Sequence, residues 1–213
     1  MPAPLLLTFD IFGTVLDWKT GLEAACAAHG RPLRPGELDQ IVDFQGNLEQ
    51  EGEFDLYTSI VIKSLSAVLG FDATQAAEVA DGVGRWPLFE DSREGLRRLQ
   101  ALARCAATTN SDLHHAGQVQ ESLGFPLSGW ICAEEVRHYK PRREMWDSAS
   151  ERMGVPLGPN WWHVSAYADY DLVTAKSLGL TTVLVERPHC RKGPADFTVP
   201  DLKALAAMVS KLR

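Results

Sequence analysis

Four stretches of this 213-residue chain carry side chains able to do covalent chemistry. Asp10 is followed by Ile11-Phe12-Gly13-Thr14, so that a carboxylate stands before a glycine turn and a hydroxyl. Thr109-Asn110-Ser111-Asp112 offers a hydroxyl and an amide, Lys140-Pro141 an ammonium, and Ser165 with Asp169 and Asp171 a hydroxyl and two further acids. A carboxylate held beside an ammonium is expected to keep a lowered pKa and stay ionised, the state in which it attacks carbon or phosphorus. Singly, each group has an ordinary structural use: Asp10 can close a turn, Thr109-Asn110 can cap a helix, Lys140 can be a solvated charge, and Asp171 can sit in a first helical turn. Their order along the chain, each at the end of an apolar run, is what a shared site requires.

Those runs, residues 5–9, 104–109, 129–132, 161–165 and 181–185, read as strands. Between the later ones, residues 112–124, 142–154 and 169–179 have helical composition and close on glycine, the usual residue just past a helix end. Strands alternating with helices predict a parallel sheet with its reactive groups at the carboxyl ends of the strands. About 95 residues separate Phe9 from Arg104, far more than one crossover helix needs. Within that stretch, 21–29, 37–44, 54–69 and 73–83 show apolar residues at helical spacing, which predicts an inserted helical unit with hinges near 17–18 and 86–91. The expected organisation is an α/β core of residues 1–17 and 88–213 and an all-helical cap of residues 18–87. The tail, 201–213, reads as a helix capped by Asp201.

Apolar residues make up 45% of the chain, enough for a buried core, and 28 acids against 21 bases give a formal charge of −7. Such a balance does not suit a nucleic-acid backbone as partner. Cys26, Cys105, Cys132 and Cys190 show neither paired nor metal-ligand spacing and read as reduced thiols. With no leader-like start and no apolar run of about 20 residues, neither export nor a membrane is expected, and the expected location is cytoplasmic.

The string Phe9-Asp10-Ile11-Phe12-Gly13-Thr14-Val15-Leu16-Asp17, then Thr109-Asn110, then Tyr139-Lys140-Pro141, then His163-Val164-Ser165 through Asp171, resembles the four ordered motifs of the haloacid dehalogenase superfamily, from about Leu5 to about Pro188. The resemblance implies a Rossmann-like parallel sheet core with an inserted all-helical cap. It implies Asp10 as nucleophile, Lys140 steadying it, and Thr109 and Asn110 holding the substrate's negative end. Phosphatases of that superfamily carry a second Asp two residues after the nucleophile, and here that residue is Phe12. The first acid of their magnesium-holding motif falls at Ala166. No metal and no cofactor is therefore expected. An aromatic at the Phe12 position resembles the L-2-haloacid dehalogenases instead, with Ser165 and Asp171 matching their fourth motif and Trp146 falling where they place an active-site aromatic.

On that resemblance the chain is expected to be a carbon–halide hydrolase. Asp10 displaces a leaving group from carbon 2 of a small carboxylic acid, and water activated by Asp171 and Lys140 hydrolyses the resulting ester. Phe12, Thr14, Thr109, Asn110, Ser165 and Trp146 are the expected substrate-binding residues. A homodimer stays open. So do a magnesium-dependent phosphatase, a ring-opening hydrolase of the azetidine-2-carboxylate type, and a binding protein that has kept the fold.

The sequence departs from the dehalogenases in the cap. Their early arginine, which receives the halide, has no counterpart in residues 41–50, IVDFQGNLEQ. Arg31, Arg34 and Arg85 are the arginines of the insert; the first two border a proline-rich loop and read as surface charges. Gln45, Asn47 and Trp18 are the neutral candidates to face a leaving group, and Glu49, Glu51, Glu53 and Asp55 read as a solvated acidic run.

Overall fold

The computed structural model describes residues 3–51 and 53–212. Residues 1, 2, 52 and 213, which the sequence reading placed at the chain ends and in the insert, lie outside them.

In chain order the elements are β1 (Leu6–Phe9), α1 (Trp18–Ala28), α2 (Glu37–Gln50), α3 (Tyr57–Leu69), α4 (Ala73–Asp81), a 3₁₀ turn (Val83–Arg85), α5 (Ser92–Gln100), β2 (Arg104–Thr109), α6 (Leu113–Leu123), β3 (Gly129–Cys132), α7 (Ala133–Val136), α8 (Glu144–Met153), β4 (Trp161–Ser165), a π turn (Ala168–Leu172) running into α9 (Val173–Ser177), β5 (Thr181–Val185), β6 (Phe197–Val199) and α10 (Leu202–Ser210). The six strands form one parallel sheet in the order β3-β2-β1-β4-β5-β6. This is the α/β Rossmann-like arrangement that the alternation of runs predicts, with α1 to α4 as the helical insert.

Every residue of β1, β4 and β5 is buried, as helices on both faces of a parallel sheet require. Register aligns Phe9 with Ala107 on one side and with Val164 on the other. Asp10 is therefore the first residue past the carboxyl end of a central strand, where the strand order reverses and the loops diverge. The tail helix forms as expected, Asp201 accepting from the Ala204 N–H at 2.7 Å while Leu202, Leu205, Ala206 and Val209 are buried.

Several elements differ from the sequence reading. β1 begins at Leu6, α2 runs to Gln50, and α3 begins at Tyr57. Asp55 and Leu56 lie outside the helix, Leu56 extended, with the Asp55 carboxylate accepting from the Leu56 N–H. The expected helix 169–179 is a π turn followed by a five-residue α helix ending at Ser177. Elements α5, α7 and β6 carry too few residues, or too polar a sequence, to stand out.

One carboxylate joins the insert to the core, and a second braces the core at the base of the insert. The Asp112 carboxylate makes no bond to its own helix, whose first N–H donates to Glu134, and accepts instead from Tyr57 N–H at 2.8 Å and from Thr58 N–H at 2.7 Å, so that a core residue caps α3. The Asp91 carboxylate forms a buried bidentate pair with Arg187, Oδ1 to Nη1 at 2.6 Å and Oδ2 to Nη2 at 3.0 Å. Arg187 Nε in turn donates to the carbonyl of Thr14 at 2.9 Å, which props the Asp10 loop from beneath. Cys26, Cys105 and Cys132 are buried and Cys190 is half-buried, all as free thiols. Among the described residues no helix is long and apolar enough to cross a membrane.

Candidate active site

The loop after β1 is tight. Thr14, Val15 and Leu16 N–H groups all donate to the carbonyl of Ile11, and Gly13 takes φ of 85°, a conformation open to glycine. A side chain at Gly13 would also meet Tyr167, whose hydroxyl lies 2.5 Å from where a Cβ would stand. The turn holds Asp10 at the tip of β1, where it is 4% exposed. Its Oδ1 accepts from Lys140 Nζ at 2.9 Å and its Oδ2 from the Thr14 hydroxyl at 2.6 Å. Thr14 Oγ1 itself accepts from Ala166 N–H at 2.8 Å, which ties the loop after β4 to the loop after β1.

Lys140 Nζ also donates to Asp171 Oδ2 at 2.7 Å, so one ammonium bridges two buried carboxylates. Asp171 Oδ1 is 2.9 Å from His163 Nε2, His163 Nδ1 is 2.8 Å from Thr8 Oγ1, and that hydroxyl accepts from Trp161 Nε1–H at 2.7 Å. An ionised Asp171 can only accept, so the imidazole donates to it from Nε2, and the Thr8 hydroxyl, which accepts from the indole, has its proton free to donate to Nδ1. Beneath the pocket floor this chain fixes the Asp171 carboxylate.

Burial raises the proton affinity of Asp10 above the ordinary carboxylate range; the Lys140 ammonium opposes this and Asp171 adds to it. This corrects the expected lowering, because loss of water outweighs one ammonium shared with a second acid. Both Asp10 oxygens nonetheless accept hydrogen bonds, the pattern of the ionised form. Burial works against ionisation of Asp171 too, but His163 and Lys140 hold it well below the usual range.

Above Asp10 lies a cavity of about 450 Å³ between the strand ends and α2. Of the expected residues, Asp10, Phe12, Asn110 and Lys140 line it. Thr14, Thr109, Ser165 and Asp171 are buried behind its wall: Ser165 Oγ accepts from Tyr167 N–H, and Thr14 and Asp171 serve Asp10 and Lys140. Trp146 is fully buried against His163, 5.9 Å between ring centroids, and does not reach the cavity. From the insert, Trp18, Gln45 and Asn47 face inward as expected. Arg31 and Arg85 pair with Glu37 and Asp81, away from the cavity.

Glu49 departs from the reading of a solvated acidic run, because α2 extends past residue 44 and its last turn aims this side chain inward. Its Oε2 accepts from Asn110 Nδ2 at 2.7 Å, while the same amide donates to the Lys140 carbonyl and accepts from its N–H. Burial pushes the Glu49 carboxyl up to about 8, against the Asn110 hydrogen bond and the charge of Lys140.

Tyr57, Tyr170 and Arg191 also line the cavity, beyond the residues that the sequence points to. Arg191 follows β5, and the strand-end rule extended to a fifth strand would have found it. Its guanidinium pairs with Asp43 of α2 and, at 3.6 Å, with Asp169.

A family model described as haloacid dehalogenase-like hydrolase matches residues 5–165. No curated protein matches the sequence. Among solved structures, the L-2-haloacid dehalogenase PA0810 is 23% identical with a TM-score of 0.84, the alignment covering 97% of this chain and 99% of that one. The L-2-haloacid dehalogenase of Xanthobacter autotrophicus with chloropropionic acid covalently bound is 18% identical with a TM-score of 0.83, covering 99% and 100%. The HAD-hydrolase YfnB of Bacillus subtilis bound to magnesium is 17% identical with a TM-score of 0.80, again covering 99% and 100%. At these identities the likeness is one of fold.

Proposed function

The chain belongs to the haloacid dehalogenase-like hydrolases, and from that premise we propose that it is a metal-independent hydrolase that displaces a leaving group from carbon 2 of a small carboxylic acid through an ester on Asp10. The observation that carries this reading is the bridge from Asp10 through Lys140 to Asp171 beside an apolar Phe12. The bridge holds a carboxylate for attack, and phenylalanine offers nothing to protonate a phosphate ester's leaving oxygen.

A magnesium ion fits these residues poorly. It needs several oxygen ligands, yet Phe12 and Ala166 supply no side-chain oxygen, and both acids at the strand ends are engaged by an ammonium. Among the described residues no group of three or more His, Cys, Asp or Glu side chains could hold a metal. These features disfavour the phosphatase reading.

In the first half-reaction an Asp10 oxygen forms a bond to carbon 2 as the bond to the leaving group breaks, the electron pair departing with that group. Water then attacks Cγ of the ester. Asp171 has both oxygens engaged and no face on the cavity, so it acts through Lys140, which gives a proton from Nζ to Asp171 Oδ2 as Nζ takes one from the attacking water. The alkoxide released from Cγ takes the proton back and leaves as a hydroxy acid, and Asp10 keeps one oxygen from water. The Xanthobacter relative, bearing chloropropionic acid covalently, supports such an ester as attainable on this fold.

The test is single-turnover hydrolysis of a panel of 2-substituted propionates in heavy-oxygen water, followed by mass analysis of the peptide containing Asp10. Label in that peptide is expected. Label confined to the hydroxy acid would mean direct attack by water and overturn the covalent route.

A further inference from the structure

The cavity wall is charged unevenly. Asp10 is matched by Lys140, and Asp43 and Asp169 share Arg191. Among the described residues Glu49 is the one carboxylate of the wall with no cationic partner. It is no loose surface acid, because Asn110 fixes its Oε2 and nothing among the described residues bonds Oε1. Around it the wall is aromatic. Phe12 stacks on Tyr57 at 5.6 Å and 17° between planes, Tyr167 lies 6.0 Å from Tyr170, and Trp18 closes the side nearest α1.

A carboxylate without a counter-ion, set among aromatic faces, is the chemistry that receives an organic cation: the acid supplies the charge and the rings supply their negative faces. A halide or a second carboxylate meets the opposite, since Lys140 and Arg191 are already neutralised. Resting on the displacement reading above, we propose that the substrate carries a protonated alkylamine near the carbon that Asp10 attacks, and that Glu49 is the residue that selects it.

Proton linkage gives this assignment a signature. Glu49 is faced by Asp10 and Lys140 from the strand ends, Tyr57 from α3, Tyr139 from the loop before Lys140 and Tyr170 from the π turn. In the empty cavity, burial leaves the Glu49 carboxyl mostly protonated at pH 7. An ammonium ligand pairs with the ionised form, so its binding at that pH must expel about one proton.

The experiment is calorimetric titration of the wild-type protein with propylammonium, 3-aminopropionate and propionate at pH 7, in two buffers of different ionisation enthalpy. The two ammonium probes are expected to bind about tenfold or more tightly than propionate and to release about one proton each. In the Glu49→Gln variant, both the preference and the proton release should disappear. Propionate binding as tightly as propylammonium, or an ammonium preference that survives Glu49→Gln, would overturn the proposal. Should the variant fail to fold, the wild-type comparison and its proton count decide alone. The heavy-oxygen label on Asp10 is read separately, so failure of the ammonium preference and failure of the covalent route are distinguishable.

Discussion

Replacing Glu49 by glutamine should stabilise the protein at neutral pH and leave it unchanged in acid. Gln preserves the shape of the side chain and an oxygen to accept from Asn110 Nδ2. What it removes is a carboxyl whose proton affinity in the fold rises, chiefly through burial, from 4.5 to about 8. Below about 4.5 both the folded and the unfolded chain keep that proton, and the stability is fully present. Above it the unfolded chain sheds a proton that the folded chain retains, so stability falls by about 1.4 kcal/mol per pH unit until the folded group also ionises near pH 8.

The full window amounts to about 5 kcal/mol, and water in the open cavity should cut this to about 2–3 kcal/mol. At pH 7 the expected gain from Glu49→Gln is about 1.5–2 kcal/mol, a rise in Tm of about 3–8 °C for a chain of this size. Thermal melts of both proteins by circular dichroism, at half-unit steps from pH 4.5 to 8.5, would show curves that coincide in acid and separate steadily toward pH 8. Parallel curves, or a variant that melts lower at pH 8, would refute the reading that the half-buried Glu49 holds its proton more tightly in the fold than in the unfolded chain.

Lys140→Met should cost about 3–5 kcal/mol in urea unfolding at pH 7, because it strands two buried carboxylates, and should abolish turnover. Lowering the pH should relieve part of that loss by protonating the stranded acids. Exhaustive chelation followed by assay should leave activity intact, given Phe12 and Ala166; recovery on adding magnesium would point to a phosphatase. Halide release from 2-chloropropionate should run about 10²–10³ slower than in arginine-bearing relatives assayed in parallel, since among the described residues no unpaired guanidinium lines the cavity to face a departing halide. His163→Phe should lower kcat more than it raises KM, because it loosens Asp171 behind Lys140 without touching the cavity.

The sheet and the strand-end groups were legible because parallel strands buried on both faces must be continuous apolar runs, and because the register of such strands brings their ends level. Asp10, Lys140 and Asn110 meet for that reason. Asp171 was legible as part of the cluster, but its place behind Lys140 was not, since the π turn rotates the residues after Ser165 out of the helical phase that the spacing suggests. The insert was legible as helices but not as a wall. Whether Glu49 looks inward depends on α2 persisting one further turn past Phe44, and on Asn110, 61 residues away, offering it an amide. Trp146 shows the same gap between position and direction, because its ring turns toward His163 in the core.

The Asp112 carboxylate, which stands just before one helix and caps the start of another across the seam, bears on how modular the insert is. A chimera carrying residues 18–87 on a related core without an acid at that position would leave the Tyr57 and Thr58 amides bare at the start of α3. Conversely, this core carrying a foreign insert would hold an idle buried carboxylate beside its site. Swaps that move the insert together with Asp112 should express as folded protein, while those that cut between them should lose the orientation of α3 and, through Tyr57, one face of the cavity.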